Sequence, residues 1–330
     1  MQEREFFQQE SPDRGQPFAE LLARTGQSEA MTQLRSQMRR AAATDATVFI
    51  VGESGTGKEV VARAIHAASG RRDGPFVAVN CGAINGGLAH AQLFGHEKGS
   101  FTGALSQHCG YLEHASAGTL FLDEVTEMPL DLQVQFLRVL ESGTYERVGG
   151  SDVLRANVRL LCASNQDPAA AVASGRLRED FFHRLLVVPL RVPPLRERAE
   201  DVTALAQYFL DEMNASHGTA KRFSRRMLES LAIHDWPGNV RELRNVVQRA
   251  FIVSDDVLDS DFLDRARQAL RAQCEDGVLH LPVGTPLARM QRELILATLA
   301  HHHGDKRRTA ATLGITLKTL YNRLEHYGRS

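Results

Sequence analysis

Gly52-Glu53-Ser54-Gly55-Thr56-Gly57-Lys58-Glu59 lies between the apolar run Thr47-Val48-Phe49-Ile50-Val51 and the run Val60-Val61-Ala62-Arg63-Ala64-Ile65. The order is strand, glycine-rich turn, helix. Glycines let such a turn fold back so that successive backbone N–H groups face an anion, and the N-terminus of the following helix adds positive potential. Lys58 falls where a phosphate-loop lysine reaches the outer phosphates of a nucleotide. The next position, usually a Ser or Thr that touches Mg²⁺, is Glu59. A plain turn between strand and helix is the bland alternative; the context predicts a nucleotide site.

Three more apolar runs end on polar residues. Phe76-Val77-Ala78-Val79 ends at Asn80, Thr119-Leu120-Phe121-Leu122 at Asp123-Glu124, and Val158-Arg159-Leu160-Leu161-Cys162-Ala163 at Ser164-Asn165. With the helical spacing over 130–140, these predict an α/β domain whose mostly parallel sheet is covered on both faces. In such sheets ligands sit beyond the carboxyl ends of the strands. Asp123 is suited to holding Mg²⁺ and Glu124 to orienting or deprotonating water, against the alternative of two acids capping the next helix. Asn165 is placed to meet a γ-phosphate or the attacking water, although Asn after a strand is commonly a turn residue. Phosphoryl transfer calls for a cation near the transferred group. Arg178 and Arg184, in Gly175-Arg176-Leu177-Arg178-Glu179-Asp180-Phe181-Phe182-His183-Arg184-Leu185, are candidates against the commoner reading as surface charges.

With 330 residues, 43% of them hydrophobic, the chain has room for two or three domains and ample core. Its formal charge of -1 creates no global field toward nucleic acid or membrane, so any such attraction is local. No apolar run approaches the roughly 20 residues that span a bilayer, and Met1-Gln2-Glu3-Arg4-Glu5 is polar rather than the start of a signal peptide. Cys81, Cys109, Cys162 and Cys274 lack CxxC spacing, which suits a reducing cytoplasm.

Residues 1–22 are polar and read as a short stub. Met31, Leu34 and Met38 then recur at helix spacing. The Gly-rich segment 82–117 has few strand or helix cues, and a loop of that length is usually functional. The α/β part runs over 23–195 and a helical subdomain over 196–254. The last helix of that subdomain opens at Trp236-Pro237-Gly238-Asn239, with Asn239 and Glu242 at capping-box spacing. Residues 255–285 read as a linker.

Taken together, these residues resemble the AAA+ ATPase domain of bacterial sigma-54-dependent transcriptional activators, over about residues 21–254. A P-loop with glutamate after the lysine is that family's own form. Phe94-Gly95-His96-Glu97-Lys98-Gly99-Ser100-Phe101-Thr102-Gly103-Ala104 looks like its sigma-contacting signature loop, whose pattern is Gly-Ala-Phe-Thr-Gly-Ala; Ser100 stands for the first alanine. Glycines suit a moving tip, and an exposed Phe101 suits an apolar anchor. The resemblance implies ATP and Mg²⁺ as cofactors. It also makes Asn80 the switch that senses the γ-phosphate and releases Glu124, Ser164 and Asn165 sensor I, and Arg241 sensor II. Arg178 and Arg184 become arginine fingers acting in trans, which implies a homo-oligomeric ring, usually a hexamer.

Residues 286–330 read as three helices: one through Leu294, Ile295, Leu299 and Ala300 ending before Gly304, one from Asp305 to Leu313 with Ala310 and Ala311 allowing close packing, and one from Thr316 after a Gly314-Ile315 turn. Leu317, Leu320, Leu324 and Tyr327 form its apolar side. That is a helix-turn-helix arrangement, with Lys318, Thr319, Asn322 and Arg323 placed to enter a major groove of double-stranded DNA. Residues 301–330 hold six Lys/Arg against two Asp/Glu, a local positive excess on a neutral chain. The stretch also resembles the Fis-type DNA-binding domain common in this activator family. His301-His302-His303 reads as a polar helix end, since consecutive helical histidines do not converge on one ion.

The expectation is a cytoplasmic activator that binds upstream DNA and uses ATP hydrolysis to remodel sigma-54 RNA polymerase holoenzyme from closed to open complex. The stub is too short for a receiver, GAF or PAS domain, so control is expected from a regulatory protein in trans or from expression level. Two alternatives stay open: a regulator of the same family acting by occupancy without sigma-54, and an AAA+ remodeller of another protein.

Overall fold

The computed structural model describes residues 26–84, 88–259, 287–302 and 305–327. The chain divides after Leu258 into two compact units. In the first, strands β1 (Val48–Val51), β2 (Phe76–Asn80), β3 (Thr119–Asp123), β6 (Arg159–Ser164) and β7 (Val188–Arg191) form a parallel sheet of order β2-β3-β6-β1-β7. A separate antiparallel hairpin pairs β4 (Thr144–Glu146) with β5 (Val153–Arg155).

Strand side chains alternate between faces, and here both faces are apolar. Phe49, Leu120, Leu122, Leu160 and Cys162 pack on one side with Leu132, Phe136 and Phe181 from the helices Leu130–Ser142 and Glu179–Leu185. Val48, Ile50, Phe121, Leu161 and Ala163 pack on the other. There they meet Met31, Leu34 and Met38 of the helix Glu29–Ala42, and Val61 and Ile65 of the helix Lys58–Ala67. Burial on both faces explains why these strands read as continuous apolar runs. The register brings the strand ends together: Asn80 lies opposite Asp123, and Val51 opposite Ser164.

The structure adds elements that the sequence reading lacked. β7 contains Pro189, which weakens a strand signal; it pairs only with β1, at the sheet edge where a proline is tolerated. The segment 82–117 carries two short helices, Ala89–Phe94 and Tyr111–His114, too short for a period to show in sequence. The subdomain that follows β7, expected to be helical throughout and called the lid below, has helices Glu200–His217, Arg225–Ile233 and Asn239–Val253, with Arg222–Phe223 paired parallel to Val257–Leu258.

The second unit contains helices Leu287–His301, Lys306–Thr312 and Leu317–Tyr327 around Ile295, Ala310 and Leu320. Asp305 caps the middle helix by accepting from the Arg307 and Arg308 N–H groups at 3.0 and 3.1 Å. Gly314 takes φ +64° at the turn. Ala310 packs closely as expected, but Ala311 is exposed. The stub 1–22, most of the linker, Gly304, His303 and the side chains of Asn322 and Tyr327 lie outside the described residues. Among the described residues no helix is long and apolar enough to cross a membrane.

Phe136 is 1% exposed and meets the Phe181 ring edge-on, centroids 6.2 Å apart, a favoured arrangement for aromatic pairs. Phe136→Ala is expected to destabilise the first unit by about 3–5 kcal/mol, read by urea unfolding.

Candidate nucleotide site and effector surfaces

Gly55 and Gly57 take φ of +78° and +101°, turning the loop so that Lys58 opens the helix Lys58–Ala67. A Cβ on Gly52 would stand 3.0 Å from both the Val192 carbonyl and Thr56 Oγ1, so the backbone needs a glycine there. The Lys58 ammonium is buried and donates to the Gly52 and Glu53 carbonyls at 2.9 and 3.2 Å. Glu59 points along its own helix to Arg63, at 2.8 Å. Glycine turns, a buried ammonium and a helix N-terminus make a site suited to a polyphosphate.

Asp123 ends β3 and accepts from the Glu124 N–H at 3.0 Å. Glu124 takes φ +52°, a left-handed conformation uncommon for a non-glycine residue. Burial raises the Asp123 pKa against the opposing pull of Lys58, and burial lowers that of Lys58 against Asp123 and Glu124. A half-buried carboxylate facing a single buried ammonium has the chemistry to hold a divalent cation bound to phosphate. Asn80 Oδ1 accepts from the Gly82 and Ala83 N–H groups at 2.9 and 3.2 Å. A Cβ on Gly82 would lie 3.2 Å from Glu124 Oε2 and 3.4 Å from Asn80 Oδ1, so the two side chains flank that glycine. The buried Ser164 hydroxyl is engaged with Thr126 at 3.2 Å and with Gln166, while Asn165 is exposed.

The lid reaches this site directly. Arg241 Nη1 donates to Ser54 Oγ at 2.9 Å. The sequence reading missed Arg196, Arg198 and Asn239, which also contact the phosphate loop. It took Asn239 as a helix cap. Gly238 is the capping residue instead, and Glu242 Oε2 accepts from the Gly238 N–H at 2.8 Å. Asn239, at φ +54°, turns its side chain into the interior. Asn following Pro-Gly was the available signal, because Asn is enriched in left-handed backbone.

Arg178 and Arg184 lie on the surface and are not joined to the phosphate loop. Arg178 pairs with Asp180 at 2.7 Å, and Arg184 donates to the Leu140 carbonyl at 2.9 Å. The signature loop closes on itself, the Gly99 N–H donating to the Ala104 carbonyl at 2.8 Å. Gly99 and Gly103 are left-handed, at φ +81° and +117°, with open space around each. The Phe101 ring rests 5.0 Å from that of His96, and Thr102 is exposed. Phe101 lines a cleft of about 730 Å³ with Leu88, Phe94, Tyr145, Val148 and Val153. Arg147, from the turn of the β4–β5 hairpin, ties Glu97 and Glu113 at 2.9 and 2.5 Å and so braces the loop's stem.

In the second unit Lys318 is exposed, but two companions are engaged internally. Thr319 Oγ1 pairs with Thr316 Oγ1 at 2.8 Å, and Arg323 donates to Gln291 Oε1 at 3.0 Å. The four residues therefore do not all stand free on one face.

Comparison with known proteins gives three family matches: a sigma-54 interaction domain over residues 24–191, an AAA+ ATPase lid domain over 196–276, and the bacterial regulatory protein, Fis family, over 286–327. The chain belongs to the sigma-54 interaction family. This family member is 40% identical to the DNA-binding transcriptional regulator NtrC of Rhizobium meliloti, over 92% of its own length and 69% of that protein. It is likewise 40% identical to the regulatory protein AtoC of Escherichia coli K12, over 91% and 67% of the two chains. Crystalline NtrX from Brucella abortus is similar in structure, with TM-score 0.68 and 36% identity over 96% of this chain and 71% of that one. The same protein in complex with ATP gives TM-score 0.67 at 36% identity, over 95% and 72%. The fold of this sigma-54 interaction protein is accordingly an AAA+ P-loop NTPase with a parallel sheet and helical lid, followed by a Fis-type helix-turn-helix domain.

A carboxyl whose pKa is raised on folding binds its proton more tightly in the folded state. Its charged form therefore costs stability at neutral pH, and the cost fades as pH falls toward the ordinary Asp value of 3.8. Asp123→Asn is expected to raise the melting temperature of the nucleotide-free protein at neutral pH, and the gain is expected to shrink on acidification, read by differential scanning calorimetry.

Proposed function

We propose that this protein is a sigma-54-dependent transcriptional activator that hydrolyses ATP to convert closed promoter complexes into open ones. The observation that carries the reading is the joining, in one unit, of a buried phosphate-loop lysine and a strand-end acid pair to a Gly99–Ala104 loop whose Gly99, Thr102 and Gly103 are exposed. The Fis-type unit supplies attachment to upstream DNA, with Lys318 an exposed predicted contact.

In this reading Gly52, Glu53, Ser54, Gly55, Thr56, Gly57 and Lys58 bind the phosphates, and Glu59 turns aside to Arg63. Asp123 would hold Mg²⁺, which would supply charge to offset that of the phosphate oxygens. Glu124 orients and deprotonates the attacking water from its constrained left-handed backbone. Asn80 and Glu124 share the surroundings of Gly82, which supports a switch role for Asn80. Ser164 holds the strand end in place, and Asn165 faces the γ-phosphate side. Arg241 reports the nucleotide to the lid. Arg178 and Arg184, exposed in one chain, complete the site of a neighbour in a closed homo-oligomeric ring, a hexamer as in the family it resembles. The nucleotide-dependent event is release of the Phe101–Thr102 tip from its seat beside His96 to engage sigma-54.

Thr102→Ala is expected to hydrolyse ATP at close to the wild-type rate yet fail to form open complexes with sigma-54 holoenzyme on supercoiled template. If neither wild type nor variant opens the promoter while both hydrolyse ATP and bind DNA, regulation by occupancy replaces this reading. Completion in trans has its own test. Lys58→Ala and Arg178→Ala/Arg184→Ala proteins are each expected to lose about 10³-fold or more in ATPase rate. Mixing them is expected to restore activity at mixed interfaces, and a mixture as inactive as its parts would exclude shared sites.

A further inference from the structure

Residues 53–56 of the phosphate loop are each held by a group from the segment 196–198 or from the start of the lid helix Asn239–Val253. Glu53 accepts from Arg196 Nη1 and Nη2 at 2.8 and 2.5 Å and from Asn239 Nδ2 at 3.2 Å. The Ser54 carbonyl accepts from Asn239 Nδ2 at 3.1 Å. The Gly55 carbonyl accepts from the Val240 and Arg241 N–H groups at 3.0 and 3.3 Å. The Thr56 carbonyl accepts from Arg198 Nη2 at 2.9 Å.

Asn239 joins the parts. Its Oδ1 accepts from the Leu195 N–H at 2.8 Å while its Nδ2 serves Glu53 and Ser54. The residue is 0% exposed and left-handed at φ +54°, a conformation that Asn adopts more readily than other non-glycine residues. The demand is specific: a donor is needed toward a carboxylate and a carbonyl, and an acceptor toward an N–H. A short amide supplies both donors and the acceptor, while a carboxylate supplies no donor and a hydroxyl only one. The fit is also tight, since a Cβ on Gly55 would lie 2.4 Å from the Gly238 carbonyl.

We propose that Asn239 is a positioning residue through which the lid sets the shape of the phosphate loop. Nucleotide affinity then depends on a side chain whose long-range partners are Glu53, Ser54 and Leu195, with a further, local contact to the Pro237 carbonyl at 3.5 Å. This rests on the nucleotide site proposed above. Because coupling is reciprocal, nucleotide binding tightens the seating of the lid as much as the seated lid tightens nucleotide binding.

The test uses the full chain and measures ATP and ADP dissociation constants by calorimetry, with KM and kcat for hydrolysis. Asn239→Ala is expected to weaken both nucleotides about tenfold and to raise KM by a similar factor, with kcat changed by less than about threefold. Asn239→Asp sets a second carboxylate against Glu53 and is expected to bind more weakly still. In Asn239→Asp/Glu53→Gln the new carboxylate regains a donor, and most of the affinity is expected to return. A residue that merely stabilised the lid would lower the melting temperature without this rescue of KM. Unchanged constants in Asn239→Ala, or a double variant no better than Asn239→Asp alone, would overturn the proposal. If Asn239→Ala does not fold, the rescue comparison decides by itself. Lys58→Ala separates the readings: if it leaves nucleotide binding intact, the nucleotide site falls and this inference with it. If it abolishes binding while the Asn239 variants change nothing, only the role of Asn239 falls.

Discussion

The phosphate loop can offer its N–H groups to an anion only if its carbonyls are satisfied elsewhere. A glycine-rich turn has little intrinsic stiffness, and buried backbone carbonyls need partners. Here the partners come from a distant part of the chain: Asn239, Val240, Arg241 and Arg198 take the carbonyls of residues 54–56. The loop is thus built by two layers of the molecule. The sheet fixes its ends, through β1 and the helix Lys58–Ala67, and the lid fixes its middle.

That arrangement connects chemistry to motion. Lys58, Asp123 and Glu124 belong to the α/β layer, whereas Arg241 and Asn239 belong to the lid, so at the proposed nucleotide site a change in the phosphates would bear on both. Arg178 and Arg184 stand outside this assembly, paired with Asp180 and the Leu140 carbonyl. The signature loop is braced differently. Its stem is clamped by Arg147, while a Cβ on Gly99 or Gly103 would meet nothing within 4 Å, so a braced base carries an uncrowded tip.

Much of this was legible in the sequence because apolar runs ending in polar residues report both strand and site. Asn80, Asp123 and Ser164 fall at strand ends as their runs predict. β7 was not legible because Pro189 interrupts its signal and its pairing depends on the sheet edge. The helix Ala89–Phe94 is hidden by its brevity, having no room for a repeat. Asn239 was read by its local spacing, but a contact with Glu53 across 186 positions decides its role. The engaged states of Thr319 and Arg323 likewise depend on neighbours that helical spacing does not reveal.

The central claim is that lid and phosphate loop act as one element, and amide hydrogen exchange at Val240 and Arg241 tests it most directly. Both N–H groups donate to the Gly55 carbonyl. The account predicts that titrating ADP into the full chain slows exchange at these two amides with the same midpoint as at the amides of residues 53–58. Protection confined to 53–58, with Val240 and Arg241 exchanging as before, would contradict it.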